Sequence, residues 1–315
     1  MQSKLIQLIT YHSICNYPKK KSIVTIGTFD GVHIGHKRIL EKIINSAKEL
    51  NCESVALTFF PHPRMILQEN SFVKLLNTME EKIVLLQKIG INNLIIHPFD
   101  KEFSQLTAEE FVKDILVDQL QIQKIIIGYD HRFGRNRTAD IHDLIRFGKQ
   151  YGFEVEQISA QEIDDIAVSS TKIRTALAEG TIALANEYLG YNYFFTGTVV
   201  EGKQLGRTIG FPTANINIKE DYKLIPKNGV YLVKSLINKE VVFGMMNIGT
   251  RPTVNGENKT IEVHFIDFDQ NLYGQEITIE VLDFIRNEQK FDSLDALKNQ
   301  ITKDKEQSLF YISSN

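Results

Sequence analysis

Short apolar runs alternate with amphipathic stretches over the first half of the chain. Ile23-Val24-Thr25-Ile26 is an apolar, β-branched run ending at Gly27, which predicts a buried strand. Ile39, Leu40, Ile43, Ile44, Ala47 and Leu50 then recur at helical spacing. Ser54 to Phe60 predicts a second strand, stopped by Pro61 and Pro63. Met79 to Ile89 reads as helix and Ile91 to Ile96 as strand. Thr107 and Glu110 form a capping-box pattern ahead of Phe111, Val112, Ile115 and Leu116. Lys124 to Gly128 is a further buried strand, Asp140 to Tyr151 a helix and Phe153 to Gln157 a last strand. Strands alternating with helices imply a Rossmann-like parallel sheet with right-handed crossovers.

The pattern changes after about residue 190. Tyr193 to Val200, Gly229 to Ile237, Val241 to Asn247, Ile261 to Phe268 and Glu276 to Phe284 read as strands with little helix between them. Leu294, Leu297 and Ile301 predict one closing helix. This is the pattern of a small antiparallel β-barrel with a C-terminal helix. Ser169 to Glu179 and Thr181 to Leu189 look helical, and the expected boundary falls near Leu189–Tyr193. The expected domains are therefore 1–190, an α/β module, and 191–315, a β module.

Composition narrows the class. Hydrophobic residues make up 43% and charged residues 24% of the 315, which suits a soluble globular protein. The formal net charge of −3 does not point to nucleic acid as the main partner. Lys19, Lys20 and Lys21 read as a solvated loop before a strand. Cys15 and Cys52 are too few for a disulfide framework, so a reducing cytoplasm is the simplest setting. No apolar run is long enough to cross a bilayer, and no signal peptide is expected.

Two segments are dense in candidate chemistry. Gly27-Thr-Phe-Asp-Gly-Val-His-Ile-Gly-His36 joins the first strand to the first helix. Ligands of parallel sheets bind at the carboxyl ends of strands, and a helix start favours phosphate. Gly31 and Gly35 admit a close backbone approach, and His33 and His36 are placed to donate hydrogen bonds to phosphates. By themselves the two histidines also fit a metal pair or a structural turn. In the second segment Gly202, Gly206 and Gly210 recur every four residues. Thr213 and Asn215 share a face of extended backbone, where a hydroxyl and an amide oxygen can bind Mg²⁺. Alone, such a loop also fits a bulge or turn. No GxxxxGK[ST] loop is present, so phosphate is handled another way.

The first segment resembles the HxGH signature of the nucleotidyltransferases, in the FDGVHxGH form of bacterial FAD synthetases. The resemblance implies ATP binding by Gly27, Phe29, Asp30, Gly31 and Gly35, with His33 and His36 as catalytic groups. Phe59-Phe-Pro-His-Pro63 and Gly128-Tyr-Asp-His-Arg-Phe-Gly134 resemble the same family. They imply a flavin site at Phe60, His62, Pro63, Asp130 and Phe133. Here His131 stands in the family's aromatic slot and Ala139 replaces its usual glycine. Val168-Ser-Ser-Thr-Lys-Ile-Arg174 resembles the superfamily's second motif. It implies that Ser169, Ser170, Thr171 and Arg174 close on the triphosphate.

Gly206-Arg-Thr-Ile-Gly-Phe-Pro-Thr-Ala-Asn215 matches the riboflavin kinase signature, including its PTAN core. It implies ATP binding by Gly206, Arg207, Gly210, Phe211 and Pro212, with Thr213 and Asn215 at the metal. Asn228-Gly-Val-Tyr231 and Asn247 to Thr253 resemble that family too. Alternation puts Ile261, Val263 and Phe265 on one strand face and Glu262 and His264 on the other. The resemblance makes Glu262 the general base and places Arg286 in a flavin-site loop, while His264 reads as packing or a local hydrogen bond. The whole implies an enzyme of two activities with ATP, riboflavin and FMN as small-molecule substrates, FAD as a product and Mg²⁺ as the ion. Two rivals stand beside it: a first module that adenylylates another phosphate-bearing substrate or has lost its activity, and a non-catalytic flavin or nucleotide sensor.

Overall fold

The computed structural model describes residues 7–68, 73–128, 131–158, 168–202, 205–253 and 256–314. The chain divides into two compact units, Met1–Ser169 and Ser170–Asn315. The first is built on a six-stranded sheet: β1 (Ile9–Tyr11), β2 (Ser22–Ile26), β3 (Glu53–Phe59), β4 (Asn93–His97), β5 (Ile122–Gly128) and β6 (Glu154–Ile158). Its order is β1-β4-β3-β2-β5-β6 and every pairing is parallel. The predicted runs set the centre: all of β2 is buried, which an apolar, β-branched strand covered on both faces requires. β1 was not expected, because three residues at a sheet edge carry no period.

The helices of this unit are α1 (Ile34–Glu49), α2 (Pro63–Leu67), α3 (Met79–Ile89), α4 (Ala108–Glu110, continued by a wider helical stretch, Phe111–Gln119) and α5 (Ile141–Tyr151). The Thr107/Glu110 capping box is present, with Thr107 and Glu110 each bonded to the other's backbone N–H. Chain order reverses at β2, which has β3 on one side and β5 on the other. The loop leaving β2 therefore lies at the topological switch point, where doubly wound sheets bind ligands.

The second unit begins with α6 (Ser170–Glu179) and α7 (Ile182–Leu189). A closed barrel follows: β7 (Phe194–Val200), the short helix α8 (Leu205–Thr208), β8 (Ala214–Asn217), β9 (Gly229–Ile237), β10 (Glu240–Thr253), β11 (Gly256–Phe265) and β12 (Glu276–Arg286). Strand order is β10-β11-β8-β7-β12-β9 and all pairings are antiparallel. The sequence left α6 and α7 with the first module; in space they go with the barrel. Asn186 explains the link: its amide donates to Val281 O at 3.0 Å, and its oxygen accepts from Tyr193 N at 2.7 Å. The C-terminal helix α9 (Leu294–Ser314) extends past the predicted Leu294–Ile301 stripe. Its buried residues are the polar Asp304 and Ser308, which an apolar pattern cannot register.

Candidate functional sites

The loop from Gly27 to His33 leaves the buried end of β2 and turns into α1. Phe29, Gly31 and Val32 all take left-handed backbone, with φ of 45°, 85° and 38°. For a β-branched valine that conformation is strained and must be held by its surroundings. Contacts from neighbouring segments help to hold it. The Asp30 carboxylate accepts the Leu76 N–H at 2.8 Å. The Thr58 hydroxyl donates to Thr28 O at 3.4 Å. The Lys82 ammonium, on α3, donates to the same carbonyl at 2.7 Å. Phe29 is buried and meets the His36 ring edge-on at 5.4 Å.

His33 caps α1 by accepting the His36 N–H at its Nδ1. That leaves the neutral ring's proton on Nε2, as a single donor. The two imidazoles stack, with centroids 3.7 Å apart and planes at 19°. Burial lowers His33 to about 4. Burial, His33 and Lys82 together push His36 well below the ordinary histidine value. Both rings are therefore neutral near pH 7. The Nδ1 of His36 is shielded from solvent and has no protein partner. No third His, Cys, Asp or Glu completes a metal cluster with them among the described residues.

Around this loop the other expected residues fall in different settings. Phe60 and Pro63 are half-buried, and His62 caps α2 by accepting the Arg64 N–H at 3.1 Å. Asp130 lies outside the described residues. Phe133 is buried in the sheet's core against Phe111, and its backbone exchanges two hydrogen bonds with Ala139, so it is a packing residue. Ala139 is itself buried. Ser170, Thr171 and Arg174 lie in the first turns of α6, with Ser169 just before it.

In the barrel, strand register assembles a second constellation. Asn215 on β8 stands opposite Glu262 on β11, and Glu262 stands opposite Asn247 on β10. Directly opposed residues of antiparallel strands point to one face, so the carboxylate is flanked by two carboxamides. Ile261, Val263 and Phe265 are buried, leaving Glu262 and His264 half-buried on the other side as the alternation predicts. His264 ties down the glycine-rich segment: its Nδ1 lies 2.8 Å from Pro212 O and its ring meets Phe211 at 5.2 Å. Burial lowers its pKa. Phe211 N donates to Gly206 O at 2.8 Å, closing the turn that carries Arg207 and Gly210. A Cβ at Gly206 would collide with Phe211 O, and one at Gly202 with the Asn215 carboxamide. Gly206 is needed because backbone lies against it, whereas the obstacle at Gly202 is a side chain.

Arg286 faces α9. Its Nε and Nη2 donate to Asp304 at 3.0 and 2.8 Å. Gln300 adds a hydrogen bond to the same carboxylate at 2.9 Å. The guanidinium is thus engaged in fixing the C-terminal helix.

The family model described as FAD synthetase matches residues 16–172, and that described as riboflavin kinase matches residues 189–312. A bifunctional riboflavin kinase/FMN adenylyltransferase of Escherichia coli K12 is 38% identical over 302 residues, 96% of this chain and 95% of that one. This chain belongs to the bifunctional riboflavin kinase/FMN adenylyltransferase family. The Bacillus subtilis member is 36% identical over 318 residues, covering 99% of both chains. A crystal structure described as a macrolide-efflux protein from Streptococcus pneumoniae superposes with a TM-score of 0.85 at 30% identity, over 96% of this chain and 98% of that one. No helix among the described residues is long and apolar enough to cross a membrane. Two further residues stand out in the structure: Lys82, in sequence an ordinary helix lysine, and Asn247, which stands opposite Glu262 on the neighbouring strand.

Proposed function

We infer that the chain makes both flavin coenzymes: it phosphorylates riboflavin to FMN and adenylylates FMN to FAD. Residues 1–190 serve the adenylyl transfer and residues 191–315 the kinase. The family resemblance assigns Ser169, Ser170, Thr171 and Arg174 to the first activity. The FMN phosphate attacks the α-phosphorus of ATP, and pyrophosphate leaves. Gly27, Phe29, Asp30, Gly31 and Gly35 shape the nucleotide loop, and the neutral His33 and His36 donate to phosphate oxygens as charge builds there. Phe60, His62 and Pro63 serve the flavin side; Asp130, which lies outside the described residues, is assigned there by the family resemblance alone, and Phe133 supports it from the core.

In the barrel, Glu262 takes the proton of the riboflavin 5′-hydroxyl as that oxygen attacks the γ-phosphorus of ATP, and ADP leaves. Gly206, Arg207, Gly210, Phe211 and Pro212 form the ATP loop. Thr213 and Asn215 offer hard oxygen donors beside it, the ligand type Mg²⁺ accepts alongside water and phosphate. The ion would supply charge neutralisation for the phosphates. Arg286 acts through α9. The substrates are small molecules, and a reducing cytoplasm suits the unpaired Cys15 and Cys52.

The observation that carries this reading is Glu262 set between Asn215 and Asn247 by barrel register. The test is chromatography of products after incubation with riboflavin, ATP and Mg²⁺. FMN, FAD, ADP and pyrophosphate are expected. Bound riboflavin without ADP would indicate a sensor instead.

A further inference from the structure

Lys82 is only 4% exposed, yet it carries an ammonium. Among the described residues its Nζ donates to Thr28 O at 2.7 Å. That carbonyl belongs to the peptide leading into Phe29, the first left-handed residue of the nucleotide loop. Charged and titratable groups face it from several elements among the described residues. Asp30 lies close enough to favour the ammonium, and His36 feels its charge from the start of α1, with His33 stacked on His36. The neighbouring Glu81 carboxylate accepts the Thr78 N–H at 2.9 Å. A lysine that merely filled space here would be replaceable by an apolar side chain of the same length, at no loss or even a gain in stability.

We propose that Lys82 is a positioning residue of the adenylyl-transfer site: its buried ammonium holds the Thr28 carbonyl, and through it the 27–33 loop, in the shape that receives the triphosphate. It also sets a fixed positive charge behind the two imidazoles, adding to the burial that already keeps His36 neutral. This rests on the adenylyl-transfer reading above.

Burial lowers Lys82 to about 8, with Asp30 opposing. Two trends of opposite sign follow. Between that value and the ordinary lysine value the unfolded chain holds a proton the folded one has lost, so stability rises with pH across the window. Adenylyl transfer falls over the same window as the ammonium discharges. A bound triphosphate favours the ammonium, so kcat/KM for ATP declines at lower pH than kcat does.

The experiment compares the full chain with its Lys82→Met and Lys82→Arg variants. FAD formation from supplied FMN and ATP is followed from about pH 7 to about pH 10, around the lysine range, together with thermal unfolding. FMN formation from riboflavin serves as the control in the same samples. Lys82→Met should lower kcat/KM for FAD formation about 10- to 100-fold, the size expected when a loop misplaces reacting groups. It should abolish the alkaline decline, melt no lower than the parent and leave the kinase unchanged. Lys82→Arg should restore part of the activity. Parental FAD formation by Lys82→Met, a parent profile flat across the window, or an activity loss matched by a lower melting temperature would overturn the proposal. A parent that forms no FAD from FMN sinks the adenylyl-transfer reading itself.

Discussion

Glu262 is half-buried and its strand is paired on both sides, to β8 and to β10. Glu262→Gln keeps the shape and removes the base. FMN formation should drop about 10²- to 10⁴-fold while the melting temperature stays put, which steady-state assays beside thermal unfolding would show. His33 gives a prediction of another kind. Its folded pKa of about 4 lies below the ordinary histidine value, so it binds a proton in the unfolded chain before the folded one. Stability should fall as pH drops from about 6.5 toward 4, by roughly 1–3 kcal/mol from this residue. Unfolding followed across that range should show a shallower slope for His33→Asn, which retains a capping side chain. At this scale the sequence disclosed groups whose chemistry lies in a local spacing, such as His33 and His36. Lys82 was hidden because its partner, Thr28, is far away in sequence, and a helix lysine is ordinarily solvated.

Among elements, α9 is the one whose hold depends most on a few polar contacts. The pair between Arg286 and the buried Asp304 joins it to the end of β12. Arg286→Met leaves a buried carboxylate without its cation and should cost about 3 kcal/mol, seen as a lower denaturant midpoint. Adding Asp304→Leu should recover part of it. FMN formation should track α9 docking, measured by amide exchange, in both the single and the double variant. The strands of the sheet were legible because both faces are buried and apolar runs mark them. The short β8 and the polar face of α9 were not, since neither has a hydrophobic period to detect.

At the level of the whole molecule, each motif set belongs with its own compact body, apart from the helices α6 and α7. His36→Ala should cut FAD formation from FMN more than about 100-fold and spare FMN formation, while Glu262→Ala should do the reverse. Product chromatography on both variants decides it, and loss of both reactions in either folded variant would contradict separate sites. The two-part organisation could be read in the sequence from the change of period near residue 190. Where α6 and α7 dock could not, because that depends on Asn186 reaching Val281, 95 residues further along the chain.

Closure of the barrel has one more effect. Every strand from β7 to β12 has a neighbour on each side, so none can slide along its partners to absorb an altered length. Losing a single residue between Thr260 and Glu262 would turn each later side chain of β11 over to the opposite surface. The carboxylate would then point into the oily interior and Val263 toward water, so a lesion of one codon there should be far more damaging than any substitution.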